Sequence, residues 1–213
     1  MPILTLFCIY LYLLPYSDNI SDNMPIKKAK IAISACLLGQ RVRYDGREKI
    51  QAHIVDCFFH EFTEKVDVIP FCPEVAIGLG VPRPKIQVVR KKDQRIRILG
   101  VEDHRWDVTD ALKLYAEDFL QLYPDISHFV VKSKSPSCGY QSTALYEREV
   151  IKRDSGHEMA QPEQHYKQID LVSGLFVQTI LELKPQLHIT DETCLSTKQA
   201  CLHLLQQIEN LNS

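Results

Sequence analysis

Three cysteines, Cys36, Cys72 and Cys138, each lie in a loop rich in glycine, proline or serine that follows a short apolar run. Three thiolates can bind a zinc ion with one coordination position open, or a 4Fe-4S cluster with one iron free for another ligand. The spacing alone is a weak signal, because the cysteines form no Cys-x-x-Cys pair and any one of them could be a small buried residue. Their shared position after apolar runs favours a common site.

Polar residues beside these cysteines could transfer protons and bind a substrate. Glu74 stands two residues after Cys72 and could act as a general acid or base, or it could be an ordinary carboxylate at a helix start. Ser135 and Ser137 flank a proline and could donate hydrogen bonds to a substrate or a cluster sulfur. Serines beside proline also make plain turns, so both interpretations stay open on the residues alone.

Charged residues in the neighbouring turns are further candidates. Arg83 lies between two prolines, and Lys132 and Lys134 lie in the third cysteine loop. Together they could bind an anion, whereas each alone is typical of a solvated surface. Asp45 belongs to a Tyr-Asp-Gly turn sequence and is of interest because it comes shortly after the first cysteine.

The apolar runs before the cysteines predict buried strands at Lys30–Ser34, Val66–Phe71 and His128–Val131. Helical spacing of apolar residues predicts helices at Ile50–Phe62 and Asp107–Tyr123. Strands that alternate with helices indicate an α/β fold, here a single domain with a mostly parallel sheet flanked by helices. Ligands bind at the carboxyl ends of the strands in such sheets, so the three cysteine loops are expected at one edge.

The remaining segments give weaker predictions. A small β-hairpin excursion is expected over Ile86–Lys91 and Arg95–Leu99, turned at Asp93, and a short strand over Thr143–Tyr146. Arg153–Gln168 is polar and predicts a mobile insertion. Two closing helices are expected over Val172–Leu183 and Thr197–Leu211. Four other cysteines are interpreted as packing residues: Cys8, Cys57, Cys194 and Cys201.

Composition limits the classes of function. The chain has 213 residues and a net charge of −2, so no strong global field would attract nucleic acid or an anionic membrane, and we expect neither partner. Seven cysteines, an odd number scattered over the chain, do not indicate a disulfide framework. A reducing, cytoplasmic location is therefore predicted.

The N-terminal segment needs a separate interpretation. Leu4–Leu14 is nearly all apolar, but no Lys or Arg precedes it and it is too short to span a bilayer. We therefore expect Met24 to be the true start and residues 1–23 to be misassigned, with a membrane-targeting leader as the alternative. A main domain is predicted over 24–190, followed by a C-terminal helical extension over 191–213.

Four motifs follow one another within Ile31–Tyr146. They are Ser34-Ala35-Cys36-Leu37-Leu38-Gly39; Val42-Arg43-Tyr44-Asp45-Gly46; Cys72-Pro73-Glu74 with Gly78-Leu79 and Pro82-Arg83-Pro84; and Lys132-Ser133-Lys134-Ser135-Pro136-Ser137-Cys138-Gly139. This set resembles the thiouracil desulfidase family. The resemblance implies a 4Fe-4S cluster bound by the three cysteines, with a free iron that takes the sulfur of a thiolated nucleobase such as 2-thiouracil or 4-thiouracil.

The resemblance also implies roles for individual residues. Glu74 would handle protons and Ser135 would hold or activate the substrate, with Asp45, Ser137 and Arg83 as substrate-binding candidates. The implied reaction is a non-redox desulfuration that releases uracil and hydrosulfide. The apolar leader, the polar insertion and the longer C-terminus depart from the family pattern. The extra C-terminal helix could cover the site or mediate contacts in a homodimer.

Three other classes of function compete with this prediction. An iron-sulfur sensor or accessory module would need only the cysteine ligands, whereas Glu74 and the two serines favour catalysis. A metal-free sulfurtransferase would use Cys138 as a nucleophile that forms a persulfide. A zinc-dependent deaminase is disfavoured, because the His-x-Glu and Cys-x-x-Cys pattern of nucleobase deaminases is absent.

Overall fold

The computed structural model describes residues 28–150 and 164–212. In chain order, the strands of this part are β1 (Ala29–Ser34), β2 (Val66–Phe71), β3 (Ile86–Arg90), β4 (Ile96–Gly100), β5 (Ile126–Val131), β6 (Thr143–Val150), β7 (Gln164–Val172) and β8 (His188–Asp191). The α-helices are α1 (Ala52–Val55), α2 (Pro73–Ala76), α3 (Thr109–Leu122), α4 (Leu175–Leu183) and α5 (Lys198–Asn212). A π-helical turn, Asp56–Glu61, continues α1, so the helix predicted from Ile50 is present in two parts. The predictions for the segment before Met24 fall outside the described residues.

A parallel sheet of four strands, in the spatial order β2-β1-β5-β8, forms the centre of the fold. The three strands predicted before the cysteines are all present, but β2 is an edge strand of which only Val66 and Phe71 are buried. The α/β fold class is confirmed. Ser34 is the register partner of Phe71, so β1 and β2 end at the same level. Strand β8 was not predicted from the sequence, because its four residues begin with His188 and end in a Thr-Asp pair instead of forming an apolar run.

A second, mixed sheet has the order β4-β3-β6-β7. The predicted hairpin of β3 and β4 is present, but β3 also pairs in parallel with β6, which makes the hairpin half of a sheet. The prediction of a mobile insertion at Arg153–Gln168 is wrong for residues 164–168, which lie in β7 and pair with β6. Residues 153–163 of that segment lie outside the described part. The β7 side chains are largely exposed and polar, so no apolar alternation marks the strand.

Alternation along the central strands divides the core between the two faces of the parallel sheet. Ile31 and Ile33 pack with α1 and α5 on one face, whereas Ala32 packs with α3 and α4 on the other. On the second face, Phe71 stacks on Phe176 with ring centroids 5.3 Å apart. Residues of α3 also contact the inner side of the mixed sheet, so this helix joins the two sheets.

The C-terminal helix α5 completes the first of these faces. Cys201, Leu204, Leu205 and Ile208 are buried in the same cluster as Ile31. The packing role predicted for Cys57 and Cys201 is confirmed, since they are 1% and 0% exposed. The same prediction is wrong for Cys194, which is exposed in the short turn before α5, and Cys8 lies outside the described residues. Among the helices of residues 28–150 and 164–212, none is long and apolar enough to cross a membrane.

Candidate active site

A cavity of about 640 Å³ lies where the carboxyl edge of the parallel sheet faces the mixed sheet. Cys36, Cys72 and Cys138 all line it. The three cysteine loops therefore meet at one edge, as the alternation of strands and helices predicts. Residues of β3 and β6, including Val88 and Tyr146, form the opposite wall.

Cys36 lies in a single 3₁₀ turn, Ala35–Leu38, directly after β1. Gly39 ends the turn with φ +90°, a left-handed conformation that glycine adopts without steric cost. The carbonyl of Cys36 accepts the backbone N–H of Lys49 at 2.8 Å, which anchors the following loop. The strand and this turn leave the thiol buried, with 7% of the residue exposed.

Cys72 directly follows β2 and precedes the one-turn helix α2. Pro73 stands at the first helical position, where its fixed φ favours the helix and its missing N–H costs nothing. The Cys72 thiol donates to the carbonyl of Val42 at 3.8 Å, a contact to the second motif. Glu74 follows in the first turn of α2, which places its carboxylate beside the cysteine.

Cys138 lies in the loop between β5 and β6, and the start of α4 supports this loop. The backbone N–H groups of Gly174, Leu175 and Phe176 donate to loop carbonyls at 2.8, 3.1 and 2.9 Å. A Cβ on Gly174 would lie 2.5 Å from the carbonyl carbon of Ser137, so only glycine fits there. Helix α4 therefore begins at Leu175, three residues later than the sequence predicts, because its first amides bind the cysteine loop.

Ser34 connects two of the cysteine loops, although it was not among the residues predicted from the sequence. Its Oγ accepts the backbone N–H of Lys132 at 3.1 Å and lies 3.5 Å from Sγ of Cys138. Ser34 is the residue before the first cysteine turn, and only the parallel pairing of β1 with β5 brings it to Cys138. The sequence signal that could have indicated this role of Ser34 is a serine at the end of an apolar strand, directly before a cysteine loop.

Burial raises the pKa of all three cavity thiols. The pKa of Cys36 rises to about 12, chiefly by burial and further by the neighbouring Cys138 and Cys72, against the opposing effect of Arg43. Burial raises the pKa of Cys72 to about 11, and it also raises the pKa of Cys138. The free thiols are therefore protonated near neutral pH and become thiolates when a metal displaces their protons.

Arg83 and Glu74 form a buried ion pair. Arg83 Nε donates to Glu74 Oε2 at 2.8 Å, while Nη1 and Nη2 donate to the carbonyls of Gly80 and Val42 at 2.9 Å each. The Arg83 side chain is only 3% exposed. Its guanidinium is therefore engaged with the protein at the cavity wall, and its direct effect is to orient Glu74.

A chain of hydrogen bonds joins the two predicted serines to Glu74. Ser137 Oγ donates to Glu74 Oε1 at 2.8 Å, and Ser135 Oγ lies 3.1 Å from Ser137 Oγ. Ser135 Oγ also accepts the backbone N–H of Cys138 at 3.2 Å. The arrangement can pass a proton between the cavity and the Glu74 carboxylate.

Asp45 does not line the cavity. Its carboxylate pairs with Arg47 at 3.0 Å and with Arg43 at 3.6 Å. Arg43 does line the cavity, so Asp45 contacts a cavity side chain without reaching the cavity itself. Lys132 and Lys134 also line the cavity, but Nζ of Lys132 is engaged with Glu192 and Ser133.

The mixed sheet adds cavity residues that were not predicted from the sequence. Lys85, Gln87 and Tyr146 line the wall opposite the cysteines, and Nζ of Lys85 lies 5.1 Å from the centroid of the Tyr44 ring. The sequence predicted the hairpin but not its pairing with β6. Without that pairing, nothing indicated that these residues face the cysteines.

The three cysteines can be compared with the ligands that a single metal ion and a 4Fe-4S cluster require. Within residues 28–150 and 164–212, no three His, Cys, Asp or Glu side chains are grouped as ligands of a single metal ion. A 4Fe-4S cluster binds each cysteine through a different iron, so its ligands lie farther apart than those of one ion. Three thiols, two of them buried and that of Cys72 half-buried, line a cavity of about 640 Å³, which leaves room for such a cluster.

A thiol-lined cavity at the carboxyl edge of a parallel sheet, with a hydrogen-bonded carboxylate beside it, defines an α/β protein with an enzyme-like site. A family model described as 2-thiouracil desulfurase matches residues 31–192. The chain belongs to the 2-thiouracil desulfurase family, which confirms the resemblance seen in the four motifs.

This chain is similar to the solved structure of a [4Fe-4S]-dependent thiouracil desulfidase, TudS. The identity is 29%, the TM-score is 0.54, and the match covers 83% of this chain and 99% of the other. The comparison with curated proteins gives no match. The structural likeness therefore extends over nearly the whole solved chain and supports the family assignment.

Proposed function

We propose that this protein removes sulfur from a thiolated pyrimidine such as 2-thiouracil or 4-thiouracil without net oxidation or reduction. The oxygen of water replaces sulfur at the ring carbon, and uracil, hydrosulfide and a proton are the products. The observation that carries the proposal is the meeting of three thiols with the Ser135–Ser137–Glu74 chain in one cavity. Membership of the 2-thiouracil desulfurase family and the likeness to a solved thiouracil desulfidase support the same substrate class.

Cys36, Cys72 and Cys138 are the residues that would hold a 4Fe-4S cluster. When bound, the cluster supplies a Lewis-acidic iron with an affinity for the sulfur of the substrate. Cys36 and Cys138 are buried and Cys72 is half-buried, so the three thiols meet the cavity with little of their surface exposed elsewhere. Within residues 28–150 and 164–212, three cysteines line the cavity, so one iron would have no thiolate from this part of the chain.

In the proposed reaction, the protein residues bind the substrate and move protons. Ser135 Oγ holds the substrate, and Glu74 Oε1 takes the proton of the attacking water through Ser137 Oγ. Arg83 holds the Glu74 carboxylate in the orientation that this transfer needs. In this proposal Ser137 lies on the proton path, in addition to the substrate-binding role expected of it.

The thiols themselves are poorly suited to nucleophilic attack. A catalytic cysteine normally has a lowered pKa, since the thiolate is the nucleophile. Burial raises the pKa of Cys138, the candidate for a persulfide, and no basic side chain contacts its sulfur in the hydrogen bonds of this loop. A metal displaces such protons when it binds, so metal binding suits these thiols better than nucleophilic attack.

The test is anaerobic reconstitution of the full chain with iron and sulfide, followed by an absorption spectrum, an iron and sulfide assay, and turnover of 2-thiouracil and 4-thiouracil on one sample. We expect a brown protein with about four irons per chain that yields uracil and hydrosulfide. A colourless protein without iron would overturn the cluster and favour thiol chemistry. A loaded protein that turns over neither substrate would favour a sensor.

Two variants test the catalytic roles, with a third as control. Glu74→Gln and Ser135→Ala should each lower kcat by roughly 10²- to 10⁴-fold, the usual contribution of a positioned proton-transfer group. Both should still bind iron, because the three cysteines are unchanged. Glu74→Gln also leaves the Arg83 charge without its partner, so its stability is measured beside its turnover. Cys194→Ser changes an exposed thiol outside the cavity and should retain wild-type turnover.

A further inference from the structure

Glu192, in the turn after β8, binds the first part of the loop that carries Cys138. Its Oε2 accepts the backbone N–H of Ser133 at 2.5 Å, while Oε1 accepts the Ser133 hydroxyl at 2.9 Å and Nζ of Lys132 at 2.5 Å. The Glu192 side chain is 7% exposed and that of Lys132 15%, so little water competes for these bonds. Hydrogen bonds to charged groups are the stronger kind, and here three converge on one carboxylate.

Asp191, the last residue of β8, binds the far end of the same loop. Its Oδ2 accepts the hydroxyl of Ser142 at 3.3 Å, and Ser142 Oγ accepts the backbone N–H of Lys134 at 3.0 Å. The other carboxylate oxygen accepts the backbone N–H of Thr193 at 2.9 Å, which fixes the Asp191 side chain. The two acidic residues therefore hold both ends of the loop.

The loop needs such support, because its backbone is strained. Lys134 has φ +59° and Gln141 has φ +49°, and neither is glycine. A left-handed conformation costs an ordinary residue free energy and persists where the surroundings fix it. Lys134 donates its backbone N–H to Ser142, and so is fixed through the contact with Asp191.

We propose that Glu192, assisted by Asp191, is a positioning residue that holds the third cysteine loop so that Cys138 faces the cavity. The inference rests on the proposed function, in which Cys138 is a ligand of the cluster. It places the turn after β8 within the working site, although the sequence predicted a boundary at residue 190. Neither carboxylate lines the cavity, so both act through the loop.

The first experiment needs no iron. In the full chain before reconstitution, the rate at which iodoacetamide labels each cysteine is followed by mass spectrometry of tryptic peptides. Trypsin cleaves after Lys and Arg, which places Cys57, Cys138 and Cys201 on three different peptides. Cys57 and Cys201 lie in the core and report global unfolding, whereas Cys138 reports the loop.

Glu192→Gln should raise the labelling rate of Cys138 at least tenfold and leave Cys57 and Cys201 protected. Glu61→Gln is the matched control, because Glu61 pairs with Lys198 at 2.7 Å and also ties the C-terminal region to the body. It should leave all three rates unchanged. Labelling of Cys138 at the wild-type rate in a folded Glu192→Gln protein would overturn the proposal.

Loss of Glu192 alone leaves the buried charge of Lys132 unpaired and could unfold the chain. In that case the double variant Lys132→Met/Glu192→Leu decides, since it removes both charges. Selective labelling of Cys138 supports the proposal and wild-type protection overturns it. After reconstitution, Glu192→Gln, or the double variant if Glu192→Gln does not fold, should also lose iron to a chelator at least tenfold faster than Glu61→Gln. If the wild type binds no iron, the proposed function fails, whereas the labelling result still judges the role of Glu192.

Discussion

Nη2 of Arg83 lies 2.8 Å from Oε2 of Glu74, with the two side chains only 3% and 11% exposed. Arg83 donates a hydrogen bond to Oε2 of Glu74, and Ser137 donates one to Oε1. Burial of the pair makes each partner depend on the other, because a single buried charge is costly. The cavity therefore has a carboxylate of fixed orientation next to the cysteines.

Replacement of Arg83 by Met should destabilise the protein by about 3 to 5 kcal/mol, since the Glu74 charge stays buried without its partner. The measurement is urea unfolding of the cluster-free chain. The double variant Glu74→Gln/Arg83→Met should recover most of the lost stability but no turnover. Arg95→Met removes an exposed ion pair with Asp93 and should leave both quantities unchanged. An Arg83→Met protein as stable as the wild type would contradict the buried pair.

Ser137→Ala should interrupt the hydrogen-bond chain between Ser135 and Glu74. We expect kcat to fall by roughly 10²-fold or more with a smaller change in KM, because the link acts on proton transfer. Stability should fall by about 1.5 to 3 kcal/mol, because the lost hydrogen bond goes to a buried carboxylate. The control is Thr179→Ala, which removes a buried hydroxyl bond to Leu175 outside the cavity. It should lower stability by about 1 kcal/mol and leave turnover unchanged; equal kcat values for the two variants would exclude the proton path.

The central strands could be predicted from sequence because their burial leaves a direct pattern. Ile31, Ala32 and Ile33 are buried on both faces of the sheet, so the run is continuously apolar. The carboxyl ends of such strands meet at one edge, and the meeting of the three cysteines followed from that rule alone. The motifs supplied the rest of the site by resemblance.

The partners of the charged residues could not be predicted, because they depend on chain segments distant in sequence. Lys132 and Glu192 stand 60 positions apart and meet only because β8 pairs with β5. The pairing of β6 with β7 in the mixed sheet was not predicted for a related reason, since β7 is largely polar and pairs with β6 through the backbone. Apolar periodicity carries no information about either contact.

Gly174→Ala should disturb the third cysteine loop directly. The added Cβ would lie 2.5 Å from the carbonyl oxygen of Ser137 and 2.7 Å from that of Ser135, so the backbone must move. We expect a loss of about 1 to 3 kcal/mol, as for other overpacked sites, together with a kcat/KM at least tenfold lower. Thr179→Ala, in the same helix, is again the control for stability. Unchanged kcat/KM in Gly174→Ala would show that the loop adapts without effect on the site.

The histidine pair between β5 and β8 predicts how the protein responds to acid. His128 is 1% exposed and stacks on His188, with ring centroids 4.8 Å apart. Burial, and then the neighbouring His188, lowers the pKa of His128 from 6.5 to about 4. The unfolded chain therefore binds a proton between pH 6.5 and pH 4 that the folded chain excludes, and stability must fall as the pH falls through this window.

The loss attributable to His128 should reach about 3 kcal/mol at pH 4, from the size of the pKa shift. Chemical unfolding of the cluster-free chain at pH 7, 6, 5 and 4 measures it. In His128→Leu the free energy of unfolding should fall less over this range, because the titrating group is gone. His60→Leu replaces an exposed histidine and should keep the wild-type pH dependence. If His128→Leu and His60→Leu follow the same curve, the β5–β8 pairing does not carry the acid sensitivity.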